Sequence, residues 1–180
     1  MNLIEFQDAN SLTFEDLALL RRALIHPSYL NENPLADAED NQRLEFLGDA
    51  VLDFVVGEML YNRFTEEQEG RLTRLRSALV RTETLASLAL RCQINEVLLV
   101  GHGEEETHGR ERISNLCAAF EAVIGAIYLD QGLAAVTAFA TPHFEQALNE
   151  VLAHEYDKDP KSRLQEWCQK NLKVTPVYEI

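Results

Sequence analysis

Lysine is absent from the first 156 residues, although these residues hold eleven arginines and most of the 30 acidic side chains. The whole chain carries a net charge of −14. Because phosphate groups are bound by Lys and Arg, this balance argues against a broad basic surface for nucleic acid. An acidic excess is typical either of plain solubility or of carboxylates gathered around a hard cation, and charge alone leaves both open.

Cysteine is scarce, and long apolar runs are missing. The three cysteines, Cys92, Cys117 and Cys168, are far apart and odd in number, so they match neither a disulfide framework nor a zinc pattern. No apolar run reaches the roughly 18–20 residues that span a bilayer. The start of the chain lacks the basic-then-apolar order of a signal peptide. We therefore expect a reduced, cytoplasmic protein without a membrane partner.

Alternation of period two is nearly absent before Val174, so the sequence predicts an all-α body over residues 1–154. Apolar residues at helical spacing predict helices over Thr13–Ile25, Gln42–Phe64, Arg71–Cys92, Ile113–Leu129 and Ala134–His154. Gly132 is expected to cap the helix Ile113–Leu129 in a left-handed conformation. Residues 31–41 and 66–70 are predicted to be polar breaks, and Val100–Arg112, which is charged and glycine-containing, an exposed mobile loop.

The predicted helix Gln42–Phe64 carries an acidic stripe. At about 100° per residue, Glu45, Asp49 and Asp53 fall on neighbouring positions of one face, interleaved with large apolar side chains. A carboxylate in apolar surroundings needs a cation, a hydrogen-bond partner or a proton, although a solvated face is the plainer interpretation. Gly48 weakens a helix, so its presence indicates the close approach of another backbone or a ligand.

A second apolar helix carries one charge. Residues 116–129 contain Glu121 and otherwise only uncharged, mostly apolar residues. One interpretation is a buried ion pair with an arginine. The other is that Glu121 faces Glu45 and Asp49 across a helix interface, where a divalent cation would neutralise the three acids. Ligands that are all oxygen suit Mg²⁺ or Mn²⁺, and such a site performs phosphoryl chemistry.

Residues 1–154 resemble the nuclease domain of bacterial-type ribonuclease III along essentially their whole length. The stretch NQRLEFLGDAVL, residues 41–52, is similar to the signature of that family and is highly specific. Four further stretches resemble family segments: ALIHPSY (23–29), GRLTRLRSALV (70–80), LVGHGEEE (99–106) and FEAVIGAIYLD (120–130).

The resemblance implies an all-helical dimer that uses Mg²⁺, with Mn²⁺ as a substitute, to hydrolyse both strands of double-stranded RNA in the processing of ribosomal and messenger RNA. By the same resemblance, Glu45 matches a metal ligand, Asp49 a catalytic carboxylate and Glu121 a residue that is both. Glu69 matches an additional acidic position, and Phe46 matches the aromatic that plugs into the partner subunit. Three further positions match residues beside the RNA backbone: Arg71, Thr73 and Arg76. A solvated helix face is the alternative for the last three.

Two positions depart from the family pattern. Gln42 stands where the family usually has Glu, outside the metal's own ligands. Ala118 stands three residues before Glu121, on the same helical face, where the family has an Asp that binds the metal. A water could fill that coordination position, but the lost charge would weaken the metal and reduce the rate. We therefore expect impaired activity, whether this alanine is natural or introduced.

The last residues are predicted to be the start of a second domain. Residues 155–160 are expected to be a linker, and 161–180 combine a helix pattern with the beginning of a strand over Val174–Ile180. Residues 157–180 also hold five basic and four acidic side chains, unlike the body. The pattern resembles the first helix and strand of an α+β double-stranded-RNA-binding domain, truncated before it can bury a core.

Three functional hypotheses follow. The first is a metal-dependent endoribonuclease of double-stranded RNA with activity reduced at Ala118. The second is a catalytically inactive dimer of the same architecture that binds double-stranded RNA without cutting it, for which Ala118 is the argument. The third is an acidic helical domain that binds a divalent cation or a protein partner.

Overall fold

The computed structural model describes residues 1–33, 38–154, 164, 167–169, 171–174 and 176. Over these ranges the chain forms helices and no strand, which confirms the predicted all-α class. The helices are α1 (Leu3–Ala9), α2 (Leu17–Ala23), α3 (Pro27–Glu32), α4 (Gln42–Arg63), α5 (Glu69–Leu79), α6 (Thr82–Arg91), α7 (His102–Glu106) and α8 (Ile113–His154), with a 3-10 turn at Ile94–Glu96.

The core lies between α8 and the helices around it. Helix α4 contributes Leu52 and Val56, and α8 contributes Phe120 and Ile124, all at most 1% exposed. Each such side chain stabilises the fold by about 1.5–3 kcal/mol relative to an exposed position. Helices α2, α5 and α6 pack around this pair, so α8 is the central element.

Helices α4 and α8 approach each other backbone to backbone. A Cβ atom added at Gly48 would overlap the carbonyl oxygen of Glu121 and lie 2.6 Å from its carbonyl carbon. A Cβ atom at Gly125 would overlap the carbonyl oxygen of Leu44 and lie 3.2 Å from the backbone nitrogen of Gly48. The close approach predicted at Gly48 is therefore confirmed, and Gly125 is its counterpart on α8.

Helix α8 is interrupted at Gly132. Its φ of 78° is positive, as predicted for a helix-ending glycine, but its ψ of −174° lies in a region that essentially only glycine adopts rather than in the left-handed helical region. By length and composition α8 is also apolar enough to cross a membrane. Its first half lies at the centre of the core, however, and core helices commonly have this composition.

The predicted helix Thr13–Ile25 is wrong in its first turn, because α2 begins at Leu17. The carboxylate of Asp130 accepts hydrogen bonds from the backbone N–H groups of Glu15 and Asp16, both at 2.9 Å, and so holds this segment extended. Asp16 then caps α2 by accepting from the N–H of Ala18 at 2.8 Å. A contact over more than a hundred residues thus overrides the local helical pattern.

The prediction of one helix over Arg71–Cys92 is also wrong, because the chain turns at Arg81. Arg81 is extended, with φ −67° and ψ 153°, and separates α5 from α6. The hydroxyl of Thr84 donates to the carbonyl oxygen of Ala78 at 2.8 Å across this turn. Two short helices, α1 and α3, were not expected from the sequence, although Asn2 and Glu5 form a capping box at the start of α1.

The prediction over Val100–Arg112 is confirmed in its exposure, since most of these residues are exposed, but the assignment as a loop is wrong, because the segment contains α7 and is held by side chains from elsewhere. The carboxylate of Glu32 accepts from the N–H groups of His102 at 2.6 Å and Gly103 at 3.2 Å. The amide of Asn115 donates to Glu104 at 2.7 Å. These bonds fix the segment that leads into α8.

The C-terminal prediction is tested only in part. Residues 164, 167–169 and 171 are helical, and the N–H of Leu172 donates to the carbonyl oxygen of Cys168 at 2.9 Å. The predicted linker, residues 155–160, lies outside the described residues, as do residues 175 and 177–180 of the predicted strand.

The helix crossing makes a first testable prediction. Gly48→Ala should lower the free energy of unfolding by about 3 kcal/mol or more, because backbone atoms of α8 must move to admit the methyl group. The matched control is Gly57→Ala on the same helix, where nothing lies within 4 Å of the new methyl group. That change should stabilise the helix by about 0.5–1 kcal/mol. Urea denaturation of both variants measures the difference, and equal midpoints would contradict the crossing.

Candidate active site

The crossing of α4 and α8 brings three acidic residues to one place. Glu45 and Asp49 flank Gly48 on α4, and the backbone of Glu121 on α8 lies against Gly48 itself. Glu45 and Glu121 are half-buried, whereas Asp49 is exposed. Because the two backbones touch, the side chains of these residues leave the interface at its edge and face the same space.

Electrostatic interaction links the three carboxylates. Burial raises the pKa of Glu121 to about 7, and the negative charges of Asp49 and Glu45 add to this shift. Burial also raises the pKa of Glu45, with further contributions from Asp40 and Asp49. The charges of Glu45 and Asp49 thus make Glu121 harder to ionise, as expected of acids that the sequence predicts on the two sides of one helix interface.

The described residues provide the acids of this site with no basic partner. Within the part of the chain that the structure describes, no ion pair involves Glu45, Asp49 or Glu121, so the alternative of a buried ion pair at Glu121 is not what is found. Within the same residues, no three His, Cys, Asp or Glu side chains are drawn together as a ready metal-binding group. Uncompensated carboxylates repel one another, and oxygen donors of this kind fit a hard divalent cation that would draw them together.

A thiol lies in the same place, and the sequence analysis did not anticipate it. The Sγ atom of Cys117, one turn before Glu121 on α8, lies 3.6 Å from Oε1 of Glu121. Burial and the charge of Glu121 raise the pKa of this thiol to about 12, and Glu45 contributes too. Thr82, the first residue of α6, acts in the opposite direction and lowers the pKa of the same thiol. The spacing of four residues from Glu121 was the signal that could have found it.

Ala118 is half-buried on α8 and has only a methyl group to offer, so the face beside Glu121 lacks the oxygen donor of the family pattern at that position. Asp53, the third acid of the predicted stripe, is turned to another partner. One of its carboxylate oxygens lies 3.8 Å from Nε of Arg76 on α5, and both side chains are nearly half exposed. The acidic stripe of α4 is thus divided between the site and a surface ion pair.

The residues matched to RNA contacts lie along α5 and are all engaged with acids. Arg71 pairs with Glu67, and Arg76 pairs with Asp53. The hydroxyl of Thr73 donates to Glu69 at 2.8 Å. Glu69 is exposed in the first turn of α5 and is not among the acids that shift the pKa of Glu45 or Glu121.

Phe46 is 81% exposed, the most exposed large apolar side chain described. It shares one face of α4 with Phe54 and Tyr61, which are 54% and 71% exposed. A groove of about 510 Å³ beside it is walled by Leu47 and Leu129, among others. An apolar patch of this kind marks a surface that another molecule covers.

Comparison with known proteins identifies the family. A sequence profile described as ribonuclease-III-like matches residues 16–148. A protein named Ribonuclease 3 from Dehalococcoides mccartyi is 43% identical over 180 residues, which cover 100% of this chain and 76% of that protein. The chain belongs to the ribonuclease III family. Ribonuclease 3 of Syntrophobacter fumaroxidans is 46% identical over 171 residues, 93% of this chain and 71% of that protein.

Solved structures agree with this assignment to the ribonuclease III family. The nuclease domain of ribonuclease III from Campylobacter jejuni has a TM-score of 0.73 at 38% identity, over 81% of this chain and 95% of that one. Dicer from Pichia stipitis, at 24% identity and a TM-score of 0.58 over 93% of this chain and 74% of that one, supports the fold alone. As a ribonuclease III, the chain is an endoribonuclease that acts on double-stranded RNA.

The raised pKa of Glu121 makes a second prediction. In metal-free protein a raised pKa adds stability at low pH, and this stability is lost as the pH rises from the ordinary value of 4.5 to about 7. Glu121→Gln should therefore lose less stability than the parent between about pH 5 and pH 8. Glu58→Gln makes an equal change of charge at an exposed position of α4, and this variant should lose as much stability as the parent over the same pH range. The midpoints of urea denaturation, measured as a function of pH in the presence of a metal chelator, give this loss of stability. Parallel pH curves for the three proteins would contradict the raised pKa of Glu121.

Proposed function

We propose that this ribonuclease III hydrolyses the phosphodiester bonds of double-stranded RNA with Mg²⁺, for which Mn²⁺ substitutes, held by Glu45 and Glu121. The observation that carries the proposal is the convergence of Glu45, Asp49 and Glu121 without a basic partner. Half-buried acids whose pKa values are raised, as at Glu45 and Glu121, are costly to fold in their ionised form unless a cation neutralises them.

The three acids have different surroundings, and these support different roles. Glu45 and Glu121 are half-buried and lie on the two helices that meet at Gly48, so we assign the cation to their oxygens. A bound divalent cation polarises the phosphate and lowers the pKa of water. Asp49 is exposed, and we assign to its carboxylate the orientation of the attacking water and the acceptance of its proton. Glu69 remains the additional acidic position on α5.

Ala118 is expected to reduce the rate. With a methyl group at this position, the cation loses one negative ligand beside Glu121 on α8. Each 1.4 kcal/mol of transition-state stabilisation lost in this way slows the reaction about tenfold. The same feature favours a second candidate function, a dimer that binds double-stranded RNA without cutting it.

The RNA is proposed to lie along α5 beside Arg71, Thr73 and Arg76. Each of these side chains is bound to an acid in the free protein, but exposed ion pairs contribute only about 0–1 kcal/mol, so an RNA phosphate can replace the acid. We also infer from family membership that the enzyme acts in the cytoplasm on ribosomal and messenger RNA precursors.

We further propose that two copies form a homodimer through the exposed aromatic face of α4. Phe46 of each copy would enter the groove of about 510 Å³ that lies beside Phe46 of the other copy. The two contacts are then identical, as a two-fold symmetric dimer requires. A solved structure of one relative, the ribonuclease III nuclease domain of Campylobacter jejuni, is described as showing structural flexibility in a region involved in dimer formation.

Ala118→Asp tests the metal-dependent reaction. With Mg²⁺ or Mn²⁺ the parent should cleave a long RNA duplex measurably, and the variant should cleave it at least about tenfold faster, because the cation regains a negative ligand. Ala138→Asp, the same change at an exposed position of α8, should leave the parent rate unchanged. If neither parent nor Ala118→Asp cleaves while both still bind the duplex, the non-cutting dimer is correct. If Ala118→Asp does not exceed the parent, the account of position 118 is wrong.

Phe46→Ala tests the assembly. The parent should sediment as a dimer at micromolar concentration, and the variant should weaken the dimer by about 2 kcal/mol or more, since a buried aromatic anchor is lost. Ile4→Ala, which truncates a 63% exposed side chain on α1, is the control and should remain dimeric. A monomeric parent at the same concentration would remove the basis of the proposal.

A further inference from the structure

We propose that Ser28 and Asn115 are positioning residues of the active site, because they complete a chain of hydrogen bonds that sets the angle at which α4 crosses α8. This inference deepens the proposed metal-dependent function, on which it rests. Neither residue is assigned a contact with metal or RNA, and both would act through the helices that carry Glu45 and Glu121.

The crossing of α4 and α8 is a pivot. The two backbones touch at Gly48 and Gly125, and such a contact fixes the distance between two helices more firmly than the angle between them. Glu45 lies between the start of α4 and Gly48, and Glu121 lies between the start of α8 and Gly125. The angle between these two N-terminal parts therefore sets the separation of the two acids.

The start of α4 is tied to the segment that precedes α7. The N–H of Asn41, the residue before α4, donates to the carbonyl oxygen of Ile25 at 2.9 Å. The N–H of His26 donates to the carbonyl oxygen of Leu99 at 2.9 Å, and the N–H of Leu99 donates to that of Leu24 at 2.8 Å. Two neighbouring backbone segments are thus paired in parallel at this point.

Ser28 extends this connection toward α7. Its hydroxyl oxygen accepts from the N–H of Gly101 at 2.8 Å. Because Nδ1 of His26 already accepts from the N–H of Ser28, the hydroxyl donates to that nitrogen, also at 2.8 Å. A Cβ atom at Gly101 would lie 2.6 Å from the carbonyl oxygen of Ser28, so the two segments are in close contact. They cannot separate without loss of these bonds.

Asn115 completes the connection at the first turn of α8. Its side chain is 7% exposed, and its amide donates to the carboxylate of Glu104 on α7 at 2.7 Å and to the carbonyl oxygen of Gly109 at 3.0 Å. Arg112, just before α8, binds the same carboxylate of Glu104. A buried amide is costly to leave without its partners, so the start of α8 is held against the α7 segment.

These contacts form one continuous link, which we call the polar link: residues 24–28, 99–104 and Asn115. It runs from the residue before α4 to the first turn of α8, and with the pivot it closes a triangle whose other two sides carry Glu45 and Glu121. A triangle with three fixed sides has fixed angles. The polar link therefore holds the two acids at one separation.

Loss of the polar link should affect catalysis more than RNA binding. A misplacement of about 1 Å at a reacting group can cost about 100-fold in rate. The proposed RNA contacts lie on α5, which is not part of the polar link. The turnover number and the Mg²⁺ requirement should therefore change, whereas KM for the RNA should not.

A purely stabilising role makes a different prediction. If apolar packing alone sets the angle between α4 and α8, loss of the polar link should lower the free energy of unfolding only. The folded enzyme would then keep its turnover number and its Mg²⁺ requirement. Measurements at a temperature where urea denaturation shows every variant to be folded separate the two roles.

The first variants break the polar link at Ser28. Gly101→Ala places a methyl group against the carbonyl oxygen of Ser28, whereas in the control Gly103→Ala the nearest atom lies 3.9 Å from the new methyl group. Ser28→Ala removes the hydroxyl that joins the two segments. Ser28→Thr keeps a hydroxyl and should restore the parent's behaviour.

The second variants break the polar link at α8. Asn115→Leu keeps the approximate size of the side chain but removes both donated hydrogen bonds. Its control is Glu150→Gln, which weakens a contact of the far part of α8 with Arg91 of α6 at 2.8 Å. Both changes remove polar contacts of α8, but only the first lies in the polar link.

The test measures cleavage of a long RNA duplex against Mg²⁺ concentration, in the parent and in the Ala118→Asp background. Gly101→Ala, Ser28→Ala and Asn115→Leu should lower kcat at least about tenfold and raise the Mg²⁺ concentration for half-maximal rate. KM for the RNA should stay within about twofold, and the control variants should match the parent.

Hydrogen exchange of the metal-free protein gives a readout that is independent of activity. Asn115→Leu lies on α8, yet it should speed amide exchange in the first turn of α4, because the polar link connects the two helix starts. Glu150→Gln should leave exchange in that turn unchanged. The same comparison can be made for Gly101→Ala and Gly103→Ala.

The outcomes separate this inference from the proposed function. If the RNA is cleaved but exchange at the start of α4 is the same in all variants, the polar link does not join the helices, while the function stands. If exchange changes but kcat and the Mg²⁺ requirement do not, the polar link only stabilises the fold and the positioning role is wrong. If neither the parent nor Ala118→Asp cleaves, the proposed function fails and the positioning role with it.

Discussion

The backbone contact between α4 and α8 at Gly48 and Gly125 is the constraint on which the active site depends. Because neither residue has a Cβ atom, the carbonyl group of Glu121 rests directly against α4. Glu45 and Asp49 are the residues three before and one after Gly48, so the crossing sets where their side chains begin. The separation of the two acidic walls is thus fixed by packed backbone, which is less adaptable than a side-chain contact.

The same closeness has an electrostatic consequence. Glu45 and Glu121 are half-buried among apolar residues and near Asp49, and the protein offers them no arginine or lysine in the described residues. Such a site lowers the stability of the metal-free fold, which natural proteins tolerate where function requires it. A cation bound as proposed would remove the repulsion and add binding free energy to the folded state, which would couple metal binding to folding.

Sequence periodicity predicted the elements of the site because they lie on long helices. The spacing of Glu45 and Asp49 and the single charge at Glu121 follow from one helix each, and Gly48 carried its own signal. Periodicity failed where side chains distant in sequence determine the backbone conformation. Glu32 holds the start of α7 from 70 residues away. Asp130 keeps the first turn of the predicted Thr13–Ile25 helix extended. No local pattern encodes such contacts.

The pairing of arginines with acids along α5 bears on how so acidic a protein meets RNA. Arg71 and Arg76 are each bound to a neighbouring carboxylate, and no lysine of the body supplements them. Phosphate must therefore displace these acids, so the free energy of RNA binding is reduced by the pairs it breaks. A divalent cation held by Glu45 and Glu121, as proposed, would cancel their two negative charges nearest the scissile phosphate, and this would favour RNA binding at the site as well as cleavage.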